Sequence, residues 1–88
     1  MSMDLDGWRQ RIDVLNAKLV DLLNERARCA LEIAAFKSKN NLPVLDPKRE
    51  KEVLEKVVAH NAGPLTDEAL QDIFRCIIAE HRKLEEDA

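Results

Sequence analysis

Arg26 stands where the apolar spacing of its segment calls for leucine or isoleucine. Trp8, Ile12, Leu15, Leu19 and Leu22 recur every three or four residues, and the series continues through Arg26 and Cys29 to Ile33. Lys37 follows Arg26 by 11 residues. On a helix turning about 100° per residue the two cations project within ~20° of each other, three turns apart. Ala30 and Ile33 lie between them on that face, and the small alanine leaves volume beside both charges. A buried charge without a partner costs too much to be incidental. Two uses stay open: a buried ion pair that fixes helix register, or a site for an anion.

Other polar residues extend the pattern. Arg49 and Glu50 fall in the first turn of a later helix, where a cation opposes the dipole, so Arg49 taken alone belongs in solvent. Asp46, just ahead of Pro47, is accounted for as a helix cap. Arg9 precedes Arg26 by 17 residues, a separation of about 25 Å along a helix axis. One small ligand cannot span that within a chain, but an antiparallel second copy brings its Arg9 toward this Arg26. His81 and Glu85 are i,i+4 neighbours on the face of Ile77, and by themselves form a polar helix end. Trp8, Phe36 and Phe74 are expected in the core. Cys29 and Cys76 have no CxxC partner and no metal-spaced histidines. They are expected to be reduced core or interface thiols, in keeping with a cytoplasmic protein. The sequence offers no metal cluster, no phosphate-binding glycine loop and no nucleophile with its base.

Three helices are needed to position these groups. The first is predicted over residues 5–39, since nothing after Gly7 interrupts it. Asn40 to Leu45, containing Pro43, breaks it. The second runs over 47–60 and ends at Asn61-Ala62-Gly63-Pro64. The third runs over 66–86 with Thr66 at its start and Asp67 and Glu68 suiting the dipole. Composition agrees: of 88 residues 45% are hydrophobic, 35% charged and 3% aromatic, which excludes disorder and a β-sandwich and leaves an all-α domain. No apolar run reaches a membrane span, and the N-terminus lacks a secretory pattern. The net charge of −3, with signs interspersed, disfavours nucleic-acid binding. The first helix, at 35 residues, would be about 52 Å long, against a diameter of about 30 Å for a compact chain of this size. Its apolar stripe must therefore find cover on a second chain, most simply in a two-fold dimer.

The whole pattern resembles the all-helical class of chorismate mutase. The resemblance rests on Arg9, Glu25-Arg26, Lys37, Asp46, Arg49, Glu50 and Glu85, and covers almost the entire chain. It implies one chorismate mutase domain over residues 1–88, folded as an intertwined helical-bundle homodimer, with no cofactor and no metal. It implies an isomerase of the shikimate pathway, serving phenylalanine and tyrosine synthesis, that rearranges chorismate to prephenate. Carried over, Arg26 and the partner chain's Arg9 each bind a carboxylate, and Lys37 contacts a carboxylate and the ether oxygen. Glu50, with Asp46, holds the ring hydroxyl, and Arg49 lines the pocket. Where His81 stands, members often carry a small hydroxyl residue that assists a carboxylate. Where Glu85 stands, many carry a glutamine that donates to the ether oxygen. An ionised carboxylate cannot donate, so the resemblance implies activity that falls as pH rises and a flatter profile for Glu85→Gln. Two alternatives stand beside this one: an isochorismate-pyruvate lyase of the same fold, and a helical dimerisation or regulatory module without catalysis. The sequence fits a free-standing enzyme and a domain of a longer shikimate-pathway protein equally.

Overall fold

The structure is a computed structural model that describes residues 4–88. Helix α1 spans Leu5–Lys39, α2 Pro47–His60 and α3 Asp67–Asp87, with no strand among the described residues. The fold is all-α, as expected. The third helix begins one residue later than 66 because Thr66 is its N-cap: its Oγ1 accepts from the Ala69 amide at 3.1 Å. Asp4 and Asp46 do the same for α1 and α2, accepting from the amides of Gly7 at 2.8 Å and Arg49 at 3.1 Å. Each cap satisfies one of the amides a helix start leaves without an intrahelical partner.

The end of α1 is shaped before Pro43 is reached. Asn41 adopts φ +54°, the left-handed conformation asparagine tolerates better than most residues. The Leu42 amide then donates to the Lys37 carbonyl at 2.8 Å and the Asn41 amide to the Ser38 carbonyl at 3.3 Å, the paired bonds of a Schellman ending. The α2–α3 link is held by Asn61, whose side chain accepts from the Gly63 amide and donates to the Leu65 carbonyl and Asp67 Oδ1 at 2.8–3.0 Å. Gly63 at φ +77° makes that reversal without a side-chain penalty.

Helix α3 packs against both α1 and α2, which do not pack on each other. The resulting body measures 57 × 23 × 15 Å. Among the described residues only Ala30, Ala34 and His81 are buried, so the single chain has almost no core of its own. The core expectation therefore fails for two aromatics: Trp8 is 55% and Phe36 62% exposed, while Phe74 is half-buried. Cys29 and Cys76 are exposed thiols rather than core residues of this chain. For Trp8 and the N-terminal half of α1 the cause is length. At 21 residues α3 covers only about 32 Å of the roughly 52 Å of α1, and the N-terminal stripe Leu5, Trp8, Ile12, Leu15, Leu19, Leu22 has nothing of its own chain to lie against.

Candidate active site

The elements converge on one cavity of about 270 Å³. Helix α1 contributes Arg26, Cys29, Ala30, Ile33 and Lys37, the α1–α2 link Val44 and Asp46, α2 Arg49, Glu50 and Val53, and α3 Ile78, His81, Arg82 and Glu85. Seven of the eight residues singled out from sequence thus share one space. Arg9 does not: it is exposed on the far part of α1, about 25 Å along the axis from Arg26.

Each cation is placed by a different neighbour. The Arg26 guanidinium meets His81 Nδ1 at 2.6 Å. Among the described residues no carboxylate forms an ion pair with it within 4.0 Å, so the register-fixing ion pair is not what this chain builds. Lys37 Nζ donates to the Val44 carbonyl at 2.9 Å and lies 4.0 Å from Glu85 Oε2, both side chains being mostly buried. The lysine is anchored where its helix ends, and the carbonyl that anchors it follows Pro43. Arg49 has the solvent-exposed character its position predicts, with a loose 3.5 Å pairing to Glu52, and it also edges the cavity. One Asp46 oxygen is committed to the cap of α2.

His81 is buried as α3 crosses α1. Its imidazole pKa is lowered from the ordinary histidine value, first by burial and then by the adjacent Arg26 charge, with Glu85 pulling the other way. The polar-helix-end expectation for this position is therefore overturned: His81 faces inward.

Sequence reasoning misses Arg82. Its Nη1 donates to Glu50 Oε1 at 2.5 Å, and its Nε lies 3.8 Å from Glu86. The signal is weak, since Arg82 is one of four consecutive polar residues, Glu80-His81-Arg82-Lys83, near a helix end. Only its i+4 spacing from Ile78 hints at an inward face.

Chemically, the cavity combines two inward cations, Arg26 and Lys37, with a third at the rim, carboxylate acceptors at Glu50 and Glu85, and apolar walls. Among the described residues no nucleophile is paired with a base, and no group of three or more His, Cys, Asp or Glu could hold a metal ion. Such a site can hold a small polyanion in one conformation and stabilise charge fixed within it.

Residues 8–86 match the family description chorismate mutase type II. The chain belongs to the type II chorismate mutase family. Solved members superpose closely. A chorismate mutase from Thermus thermophilus (form II) is 36% identical with a TM-score of 0.92, covering 93% of each chain. The Helicobacter pylori chorismate mutase, solved in complex with prephenate, is 34% identical with a TM-score of 0.87, covering 94% of this chain and 90% of that one. Among curated relatives, the bifunctional chorismate mutase/prephenate dehydratase of Aquifex aeolicus is 41% identical over 86 residues. This chain spans about a quarter of that protein's length, 24%.

Proposed function

We propose that this chain rearranges chorismate to prephenate, acting as an intertwined homodimer with two sites. One observation carries this: a single cavity unites Arg26, Lys37 and Arg49 with Glu50 and Glu85, five positions from three helices. The reaction is a Claisen rearrangement, with no nucleophile and no proton transfer. The enzyme must hold a dianion in its compact chair-like conformer and stabilise negative charge developing on the ether oxygen. Positioning and fixed electrostatics suffice for that task. Arg26 takes one carboxylate, and Lys37, already held by the Val44 carbonyl, sits toward the other carboxylate and the ether oxygen. Glu50 accepts from the ring hydroxyl through the oxygen that Arg82 leaves free, with the uncommitted oxygen of Asp46 beside it. Arg49 closes the rim. Glu85 lies beside Lys37 at the ether-oxygen end of the cavity, and Glu85→Gln, which supplies an uncharged donor there, should retain or raise activity.

The exposed face of α1 supports the dimer. Fully burying a large apolar side chain stabilises by ~1.5–3 kcal/mol. The six exposed residues from Leu5 to Leu22 on the stripe would together contribute on the order of 10 kcal/mol if a partner covered them. An antiparallel α1 of the partner also delivers its Arg9 to the end of the cavity that Arg26 occupies, completing the charge complement of a dianion. No described helix is long and apolar enough to cross a membrane, which suits the cytoplasmic location expected for this step of aromatic amino acid synthesis. Curated relatives that join a chorismate mutase to a prephenate dehydratase support a physical link to another enzyme of the same pathway.

The test is chorismate depletion with product identification. Prephenate is expected. Turnover of isochorismate to salicylate and pyruvate, with chorismate untouched, would mark a lyase. A folded dimer inert toward both substrates would mark a non-catalytic module.

A further inference from the structure

Guanidinium nitrogens only donate hydrogen bonds. The 2.6 Å contact between Arg26 Nη1 and His81 Nδ1 therefore requires Nδ1 to be the acceptor. The imidazole is then neutral, its proton is on Nε2, and the orientations of the two groups are tied together. We propose that His81 is a positioning residue: through Nδ1 it aims the Arg26 guanidinium into the cavity, and that same bond fixes His81 in the Nε2–H form. This assigns a distinct role to a position where the resemblance offers only a hydroxyl assisting a carboxylate. It rests on the mutase function proposed above.

The surroundings support it. His81 is one of three buried residues among the described ones, and it lines the cavity beside Arg26. Arg26 has no ion pair among the described residues to hold it otherwise. A guanidinium on a long side chain loses considerable rotamer freedom when fixed, and pre-orientation by a buried acceptor removes that cost from substrate binding. Arg26 meets the imidazole and Glu85 acts on it from the same helix, and the other charged groups that line the cavity with His81 are Lys37 from α1, Arg82 from α3, and Arg49, Glu50 and Asp46 from α2 and its cap. Burial and the Arg26 charge both oppose protonation, and Glu85 favours it less strongly. Protonated His81 would present an N–H to the Arg26 N–H, and the pair would part.

Amide substitutions separate the two ring nitrogens. Asparagine places an oxygen where Nδ1 stood and can still accept from Arg26. Glutamine reaches the Nε2 position but leaves nothing at Nδ1. Leucine preserves only bulk. With chorismate as substrate, we expect His81→Asn to stay within about threefold of wild-type kcat/KM. We expect His81→Gln and His81→Leu to raise KM about tenfold with kcat changed less than threefold, the mark of lost binding common to ground and transition states. Wild-type KM should rise as pH falls below the ordinary histidine range, and KM of His81→Asn should not. A Gln variant that matches wild type beside an impaired Asn variant would place the function at Nε2 and overturn the proposal. So would equal kinetics for Asn, Gln and Leu. Thermal melts of all three establish that they fold. A second measurement is independent of turnover: ring ¹⁵N NMR in a His60→Gln background should show His81 wholly as the Nε2–H tautomer at neutral pH. Arg26→Met should release it to a mixture. An unchanged tautomer in Arg26→Met overturns the proposal even if the enzyme is a mutase, and the shift stands even if chorismate is not turned over.

Discussion

Removing Lys37 tests the electrostatic core of the proposed mechanism. The ammonium is anchored 2.9 Å from the Val44 carbonyl and 4.0 Å from Glu85, and its side chain is only 17% exposed. It therefore acts as a fixed, poorly screened charge. Suppose the ether oxygen gains about half a unit charge in the transition state at ~3 Å from Nζ. At an effective dielectric of ~20 the attraction is then about 2.8 kcal/mol, or a factor of about 10² in rate. That agrees with the 10²–10³ typical of losing one donor to a developing oxyanion. Lys37→Ala should therefore lower kcat about a hundredfold in a chorismate-depletion assay. It should also lose the bond to Val44, about 1 kcal/mol, and melt a few degrees lower while remaining folded. Lys37→Arg keeps the charge but presents a planar fork, and should retain part of the rate. A folded Lys37→Ala variant with kcat within threefold of wild type would refute the assignment.

Other outcomes follow from the same geometry. Arg82→Met frees Glu50, and because both side chains are about one-third exposed the pair is worth no more than ~1 kcal/mol. KM should rise a few-fold, measured against Arg82→Lys, which should recover part of it; an unchanged KM would show that Glu50 needs no such support. Leu19→Glu puts a charge on the exposed stripe of α1 and should abolish dimer formation, helicity and activity together, as read by sedimentation and circular dichroism. A wild-type protein that sediments as a helical monomer would remove the interface. For stability, the sign at His81 is set by its lowered folded pKa: the unfolded chain binds the proton more readily. Stability should fall as pH drops through ~6.5 and level off below the folded pKa. His81→Asn should lack that step, which paired melts between pH 7.5 and 5 would detect.

Much of the fold is legible in the residues themselves. Helix bounds come from caps and breakers, Asp46-Pro47 and Thr66-Asp67 above all, because capping chemistry is local. The Arg26 and Lys37 face comes from helical periodicity, which is equally local. What fails is tertiary. Trp8 looks like core because it is apolar, yet α3 is too short to reach it, and Phe36 and both cysteines, expected in a core or interface, are exposed on this chain. His81 looks like a helix-end residue because its partner lies 55 positions away. Arg82 passes unnoticed because its use depends on Glu50 facing it from α2, 32 positions earlier, and no periodicity within one helix encodes that.

The unbroken length of α1 carries one more consequence. If Arg9 serves one site and Arg26 with Lys37 the other, a single rod of 35 residues indexes both. Substitutions along its solvent side leave that indexing intact. Inserting or deleting one residue between 10 and 25 would rotate Arg9 by about 100° and shift it ~1.5 Å relative to Arg26. Both sites of the dimer would then lose an arginine at once. The segment 61–66 lies outside the cavity and faces no such constraint, whereas 40–46 carries Val44 and Asp46. Chain length should therefore vary among functional versions of this protein at the α2–α3 link and stay invariant along α1.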